Sequence, residues 1–156
     1  MKAMAHDQKQ FTRADLVAAL NDDLSREYQA IIAYIVYSQS LKGPQYMAIK
    51  EELQKHAKEE LDHAMKIGRA SDYLGGELTA TPKPVKTSEK AAEMLRFDLY
   101  NENETVKNYR ERVRQCEMLQ EYGIAEDIRE ILRQEQEHQS DLADALGENV
   151  PDMSKL

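Results

Sequence analysis

The chain has 156 residues, 41% of them hydrophobic and 32% charged, with a formal net charge of -8. That balance fits one soluble domain, residues 1–156, around one sizeable core, and excludes a disordered chain or a nucleic-acid binder working through bulk positive charge. One cysteine, Cys116, excludes an internal disulfide or a multi-cysteine metal knot, which points to a reducing compartment.

The first residues, MKAMAHDQKQFT, lack the apolar run of a leader, and His6 reads as part of a tail. Thr12 followed by Asp15 is a capping-box start, so the first helix, α1, is predicted over about 12–41, where Gly43-Pro44 breaks it. Proline suits the first turn of the next helix, α2, predicted over about 44–74 and stopped by Gly75-Gly76. Residues 75–86 hold two prolines, two glycines and three threonines without periodicity, so they read as a long connection. Thr87 or Ser88 is expected to cap α3, over about 88–119. A turn near Tyr122-Gly123 leads to α4, over about 122–146, ending at Gly147. The tail GENVPDMSKL is too short and polar for a fifth helix. Short, long, short connections predict an all-α, up-down-down-up four-helix bundle of the ferritin-like type, with a long crossover between α2 and α3. The most apolar stretch, residues 30–37, is too short to span a bilayer, so a cytoplasmic protein with no membrane partner is expected.

Each helix carries a core stripe at spacings of three and four. The stripes read Val17, Leu20, Leu24, Glu27, Ile31, Tyr34 in α1 and Ile49, Leu53, His56, Glu60, His63, Ile67, Ala70, Leu74 in α2. In α3 they read Leu95, Leu99, Glu102, Val106, Tyr109, Val113, Cys116, and in α4 Ile124, Ile128, Ile131, Glu135, His138, Leu142, Ala145. Every stripe is apolar except near its middle, where a glutamate sits. Four buried carboxylates without counter-charge would each cost several kcal/mol. The plain alternative is that the helices are misphased and these glutamates are solvated. The spacing argues against it. Glu27 and Glu60 flank the turn at Gly43 almost equally, and both Glu27 to Glu60 and Glu102 to Glu135 span 33 residues. Each second glutamate opens an E-x-x-H, ELDH at 60–63 and EQEH at 135–138, which puts Glu and His on one helix face. The halves read as an internal repeat with pseudo-two-fold symmetry around two metal ions. Four carboxylates balance two divalent cations. Oxygen and nitrogen ligands suit Fe, with Mn the alternative, better than calcium or a structural zinc.

These residues resemble the bacterioferritins, within the ferritin-like superfamily, over about residues 16–146. The segments MLRFDLYNENETVKNYRE (94–111) and DIREILRQEQEH (127–138) share the resemblance. It implies that Glu27 and Glu102 are terminal ligands, that Glu60 and Glu135 bridge, and that His63 and His138 each complete one iron. Tyr34, seven residues after Glu27, matches that family's tyrosine near the ferroxidase centre. The implied activity is oxidation of Fe(II) by O2 or H2O2, with iron storage or detoxification in a homo-oligomer. Two features depart from the family. Leu61 stands where the haem-ligating methionine would be, so haem is not expected, and the fifth helix that lines the 24-subunit cage is missing, which leaves a 24-mer, a 12-mer or a dimer open. The rival is a small di-iron or di-manganese peroxidase or oxidase of rubrerythrin type. Against it, the rubredoxin cysteines are absent and Thr105 stands where an extra glutamate would fall.

Other residues have plainer readings. His56 reads either as a partly exposed histidine near the bundle end or as a residue beside the metal ligands or on the route by which iron enters. Glu59 and Lys55 read as a solvated face, or as an inner-surface iron route if the chain forms a cage. Cys116 reads as core, and Tyr34 and Tyr109 as packing aromatics that could also serve the site. Tyr28, Ile32, Ile35 and Val36 lie off the α1 stripe, and such an apolar patch predicts a homodimer through α1.

Overall fold

The computed structural model describes residues 10–155; His6 lies outside them. Four long helices, α1 Arg13–Ser40, α2 Met47–Tyr73, α3 Ala91–Met118 and α4 Tyr122–Ala145, form the bundle. All four starts and all four ends fall within about three residues of the sequence expectation. α1 opens on the predicted capping box: Asp15 N–H donates to Thr12 Oγ1 at 3.2 Å, and Thr12 N–H donates to Asp15 Oδ2 at 2.9 Å. Gly43, at φ 111°, makes the turn no other residue makes cheaply. Pro44 then begins a single 3-10 turn, Pro44–Tyr46, that feeds α2. α2 closes on Gly75, at φ 78°, with the amides of Gly75 and Gly76 bonded back to Asp72 O and Ser71 O.

α3 corrects the expected start. Neither Thr87 nor Ser88 caps it. The N-cap is Lys90, without a side-chain bond, and the helix begins at Ala91. Ser88 instead accepts the Lys90 amide at 3.0 Å and donates to Glu93 at 2.5 Å, closing a local turn just before the helix. Beyond α4, among the described residues, the regular structure is one 3-10 turn, Met153–Lys155.

Side-chain pairs give the topology. Tyr34 meets Glu102 and Tyr109 meets Glu27, so α1 and α3 run antiparallel. Lys66 meets Glu130 and His56 meets Asp141, so α2 and α4 do too. With two antiparallel hairpins this is the up-down-down-up bundle. The crossover between α2 and α3 lies along α1, fastened by a polar stripe four residues apart. Asn21 Nδ2 donates to Glu77 O at 2.7 Å, Ser25 Oγ to Thr81 O at 2.8 Å and Gln29 Nε2 to Pro84 O at 2.7 Å, and the Tyr37 hydroxyl donates to Lys86 O.

The core is divided in two. One apolar cluster gathers Leu16, Leu20, Leu24, Ile67, Ile124 and Ile128. The other gathers Tyr37, Leu41, Leu53, Leu95, Leu99 and Leu142. Between them lies a polar layer. The stripes depart from prediction at two ends: Leu16 is fully buried while Val17 is half-buried, and Ala143 is buried while Ala145 is exposed; Ile31, Ile49, Leu74 and Val113 are half-buried.

Candidate metal centre

The polar layer contains all six predicted ligands, each at most 4% exposed: Glu27, Glu60, His63, Glu102, Glu135 and His138. The helical spacing of each E-x-x-H stacks its Glu and His on one face, and the antiparallel pairing brings the faces together. His63 Nδ1 lies 2.9 Å from Glu60, 3.0 Å from Glu135 and 3.6 Å from Glu27. His138 Nδ1 lies 3.0 Å from Glu60, 3.2 Å from Glu135 and 3.7 Å from Glu102. Glu60 and Glu135 therefore face both imidazoles, while Glu27 faces only His63 and Glu102 only His138. Two groups of four side chains result, each with its donor atoms within 4.8 Å of one another, and they share Glu60 and Glu135.

Five buried atoms of this layer have no hydrogen-bond partner: Glu27 Oε2, Glu60 Oε1, Glu102 Oε2, Glu135 Oε2 and His138 Nδ1. Orphaned buried acceptors are rare because each forfeits its solvation. Here they converge, and all are atoms that bind divalent cations. The donor set fits two such ions.

The outer ring nitrogens are held as well. His63 Nε2 lies 2.6 Å from Gln134 Oε1, and His138 Nε2 lies 2.7 Å from Glu59 Oε2. An acceptor at Nε2 keeps the proton there and leaves the Nδ1 lone pair facing inward, the tautomer a metal requires. Tyr34 donates to Glu102, and Tyr109 donates to Glu27. The hydroxyls thus grip the two outer carboxylates. Each tyrosine follows one glutamate by seven residues and bonds the glutamate of the opposite half.

Without cations the layer must neutralise itself with protons. Burial, reinforced by the charge of Glu135, pushes Glu102 up to about 8, and burial with Glu135 and Glu27 raises Glu60 well above the carboxylate range. Burial disfavours charge on His63, but the surrounding carboxylates of Glu135, Glu27 and Glu60 outweigh it and raise the ring; those of Glu102, Glu135 and Glu60 do the same for His138. Glu135 goes the other way: despite burial, both imidazoles hold it well below the usual range.

The structure decides between the two readings of His56 and corrects that of Glu59. His56 is fully buried beside the six-residue layer, not partly exposed at the bundle end. Its ring stacks on His138 with centroids 3.9 Å apart, and its Nε2 lies 3.0 Å from Asp141. Glu59 is half-buried against His138 rather than free on a solvated face, whereas Lys55 is exposed as expected. Gln134 drew no notice in the sequence. The signal for Gln134 was the internal repeat, because Glu59 and Gln134 occupy the same place before each E-x-x-H. Tyr109 stands to Glu102 as Tyr34 stands to Glu27. A buried ion pair also escaped the stripe reading: Arg112 Nε lies 2.6 Å from Asp23, which bonds Arg26 as well.

A profile of the ferritin-like domain matches residues 17–149. The chain is 27% identical over 140 residues to a bacterioferritin of Brucella melitensis, covering 85% of this chain and 87% of that one. A solved structure from Bacillus anthracis, described as a ferritin-like diiron-carboxylate protein, superposes with a TM-score of 0.83 at 29% identity, over 92% of this chain and 99% of that one. The bacterioferritin of Rhodobacter capsulatus, described with a metal-free dinuclear site and a haem iron, gives a TM-score of 0.78 at 24% identity, over 86% of this chain and 84% of that one, and bears on the fold alone. Glutamates and histidines converging in mid-core are what a diiron-carboxylate bundle requires, and with the domain match spanning nearly all of the helical chain, this protein belongs to the ferritin-like family.

Proposed function

We propose that this chain is a ferroxidase: it binds two Fe(II) ions between its helices, oxidises them with O2 or H2O2, and passes the Fe(III) to storage or detoxification. The observation that carries this reading is the pair of four-residue groups sharing Glu60 and Glu135. In it, Glu27 and His63 hold one ion, Glu102 and His138 hold the other, and Glu60 and Glu135 bridge. Iron supplies the redox step, two Fe(II) giving two electrons to the oxidant. The protein supplies charge balance, since four carboxylates match two divalent ions, and the two tyrosine hydroxyls orient the outer glutamates. The same ligands accept Mn, so metal identity is a test of the reading. Haem is not part of it, because Leu61 offers no ligand atom.

Anaerobic Fe(II) titration followed by O2 addition tests the activity. The protein should take up two Fe(II) per chain and oxidise them promptly, and Glu60→Ala with Glu135→Ala should abolish both. Unchanged uptake in that double variant would sink the proposal.

The storage role needs a shell. Ile32, Ile35 and Val36 of α1, with Leu61 and Met65 of α2, leave large apolar side chains exposed, which supports a homodimer through this face. Native mass separates the readings. From the 18.0 kDa chain, twelve copies give about 216 kDa and twenty-four about 432 kDa. A mass limited to two chains would favour a small di-iron or di-manganese peroxidase or oxidase. A cytoplasmic location accords with this role; among the described residues no helix is long and apolar enough to cross a membrane.

A further inference from the structure

The two halves of the bundle repeat with an offset of 75 residues: Glu27 with Glu102, Tyr34 with Tyr109, Glu59 with Gln134, Glu60 with Glu135 and His63 with His138. This internal symmetry lets one side of the centre serve as a control for the other. It breaks at His56, whose counterpart is Ile131.

On the His63 side, Ile131 is fully buried and closes the layer with a hydrocarbon wall. The counterpart of Asp141 there is Lys66, a cation already paired with Asp62 at 3.1 Å and Glu130 at 3.3 Å. On the His138 side the wall is replaced by donors. His56 Nε2 lies 3.0 Å from Asp141 Oδ2 and 4.0 Å from Glu52 Oε2. The three donor atoms lie within 4.8 Å of one another, a spacing one divalent cation spans with bonds of about 2.0–2.4 Å.

The burial pattern suits a site rather than a surface ion pair. The His56 ring is buried and fixed by stacking on His138. The stacked ring cannot turn away, so Nε2 is held facing the two carboxylates, a nitrogen-and-oxygen donor set that suits a divalent cation. The carboxylates themselves are about 40% exposed, so an ion in solvent reaches them directly. A surface hollow of about 450 Å³ lined by Gln45, Tyr46, Ala48, Ile49 and Ala145 opens beside Glu52. Lys55 Nζ stands 3.9 Å from the same Glu52 carboxylate, on an exposed side chain that a bound cation would displace. Inward, Glu59 and the stacked His138 continue the line of donors to the dinuclear layer.

We propose that Glu52, His56 and Asp141 form a third divalent-cation site, on the His138 side only, which holds an incoming ion just outside the dinuclear centre. This inference rests on the reading of the six-residue layer as a two-metal centre. It makes loading one-sided, because ions reach the His138 position through a ligand path and meet Ile131 at the other.

Anaerobic Co(II) binding to the full chain, counted by equilibrium dialysis, tests it. The wild type should bind three Co(II) per chain, and E52Q/D141N should bind two, its third-site affinity falling at least about tenfold. Both carboxylates are half-exposed, so this variant folds. H56I, which copies the residue of the other half, should also bind two. A crystal soaked in Co(II) should show an anomalous peak between these three side chains. Saturation of the wild type at two, or retention of three by E52Q/D141N, overturns the third site and leaves the dinuclear centre standing. A wild-type count below two overturns both.

Discussion

Each imidazole of the centre is gripped at both nitrogens, and that grip sets the chemistry available to it. Gln134 does for His63 what Glu59 does for His138. The two are not equal: a carboxylate partner makes its ring the more electron-rich donor, whereas the Gln134 amide only orients. Gln134→Leu should leave the fold intact and weaken the ion nearest His63 about 10- to 100-fold while sparing the other, as read by Co(II) titration. Equal weakening of both ions would show that the two positions load as one unit. These partners were only half visible in the chain. A ligand announces itself as a charge in an apolar stripe, but a residue that orients a ligand lies one position off the stripe, among ordinary surface charges. Only packing shows which of those turn inward. His56 had the opposite problem: its stripe position was visible, but its burial depended on a neighbour, His138, 82 residues away.

Among the elements, the crossover shows how local and tertiary rules divide the work. Its lack of periodicity marks it as a connection, and Gly75-Gly76 marks its start. What holds it is Asn21, Ser25 and Gln29, three polar residues on one face of α1 that give the crossover backbone the partners a strand would otherwise supply. In the sequence these three look like solvent-facing residues. At Gly76 the fit is tight: an added Cβ would lie 2.3 Å from Val17 Cγ1, a short branched side chain with little freedom to move away. Gly76→Ala should therefore destabilise the protein by about 1–3 kcal/mol in urea unfolding. Gly75→Ala has open space and meets only the backbone cost of its positive φ, so it separates packing from conformation. The start of α3 makes the same point. Ser88 carries the chemistry of a cap, and spends it on a turn before the helix because the crossover delivers the chain there still extended.

The whole molecule carries an unusual pH signature. Glu60 and Glu102 are raised in the metal-free fold, Glu102 to about 8, and both imidazoles are raised too. The native state then holds more protons than the unfolded chain above pH 4.5, and stability falls as pH rises. For Glu102 alone the loss between pH 4.5 and 8 is on the order of 4 kcal/mol. Glu135 acts oppositely, but only below pH 4.5, where its contribution is lost on acidification. The melting temperature of the metal-free protein should therefore drop between pH 5 and 8. Saturating Zn(II) should reverse the slope, because cations displace those protons and bind best when the ligands are deprotonated. Calorimetry at both pH values, with and without metal, checks it; a metal-free melting temperature that rises with pH would contradict the proton-sharing layer.

Taken alone, the chain determined the four helices, their order, the long crossover and the level at which Glu27, Glu60, His63, Glu102, Glu135 and His138 meet. It did so because helical periodicity is local and because a charge in an apolar stripe has few stable explanations. Tertiary structure decided which carboxylates face both imidazoles, which tyrosine grips which glutamate, and that His56 with Glu52 and Asp141 opens one side of the centre while Ile131 closes the other. Those facts depend on distances between helices, and spacing along one helix carries no information about them.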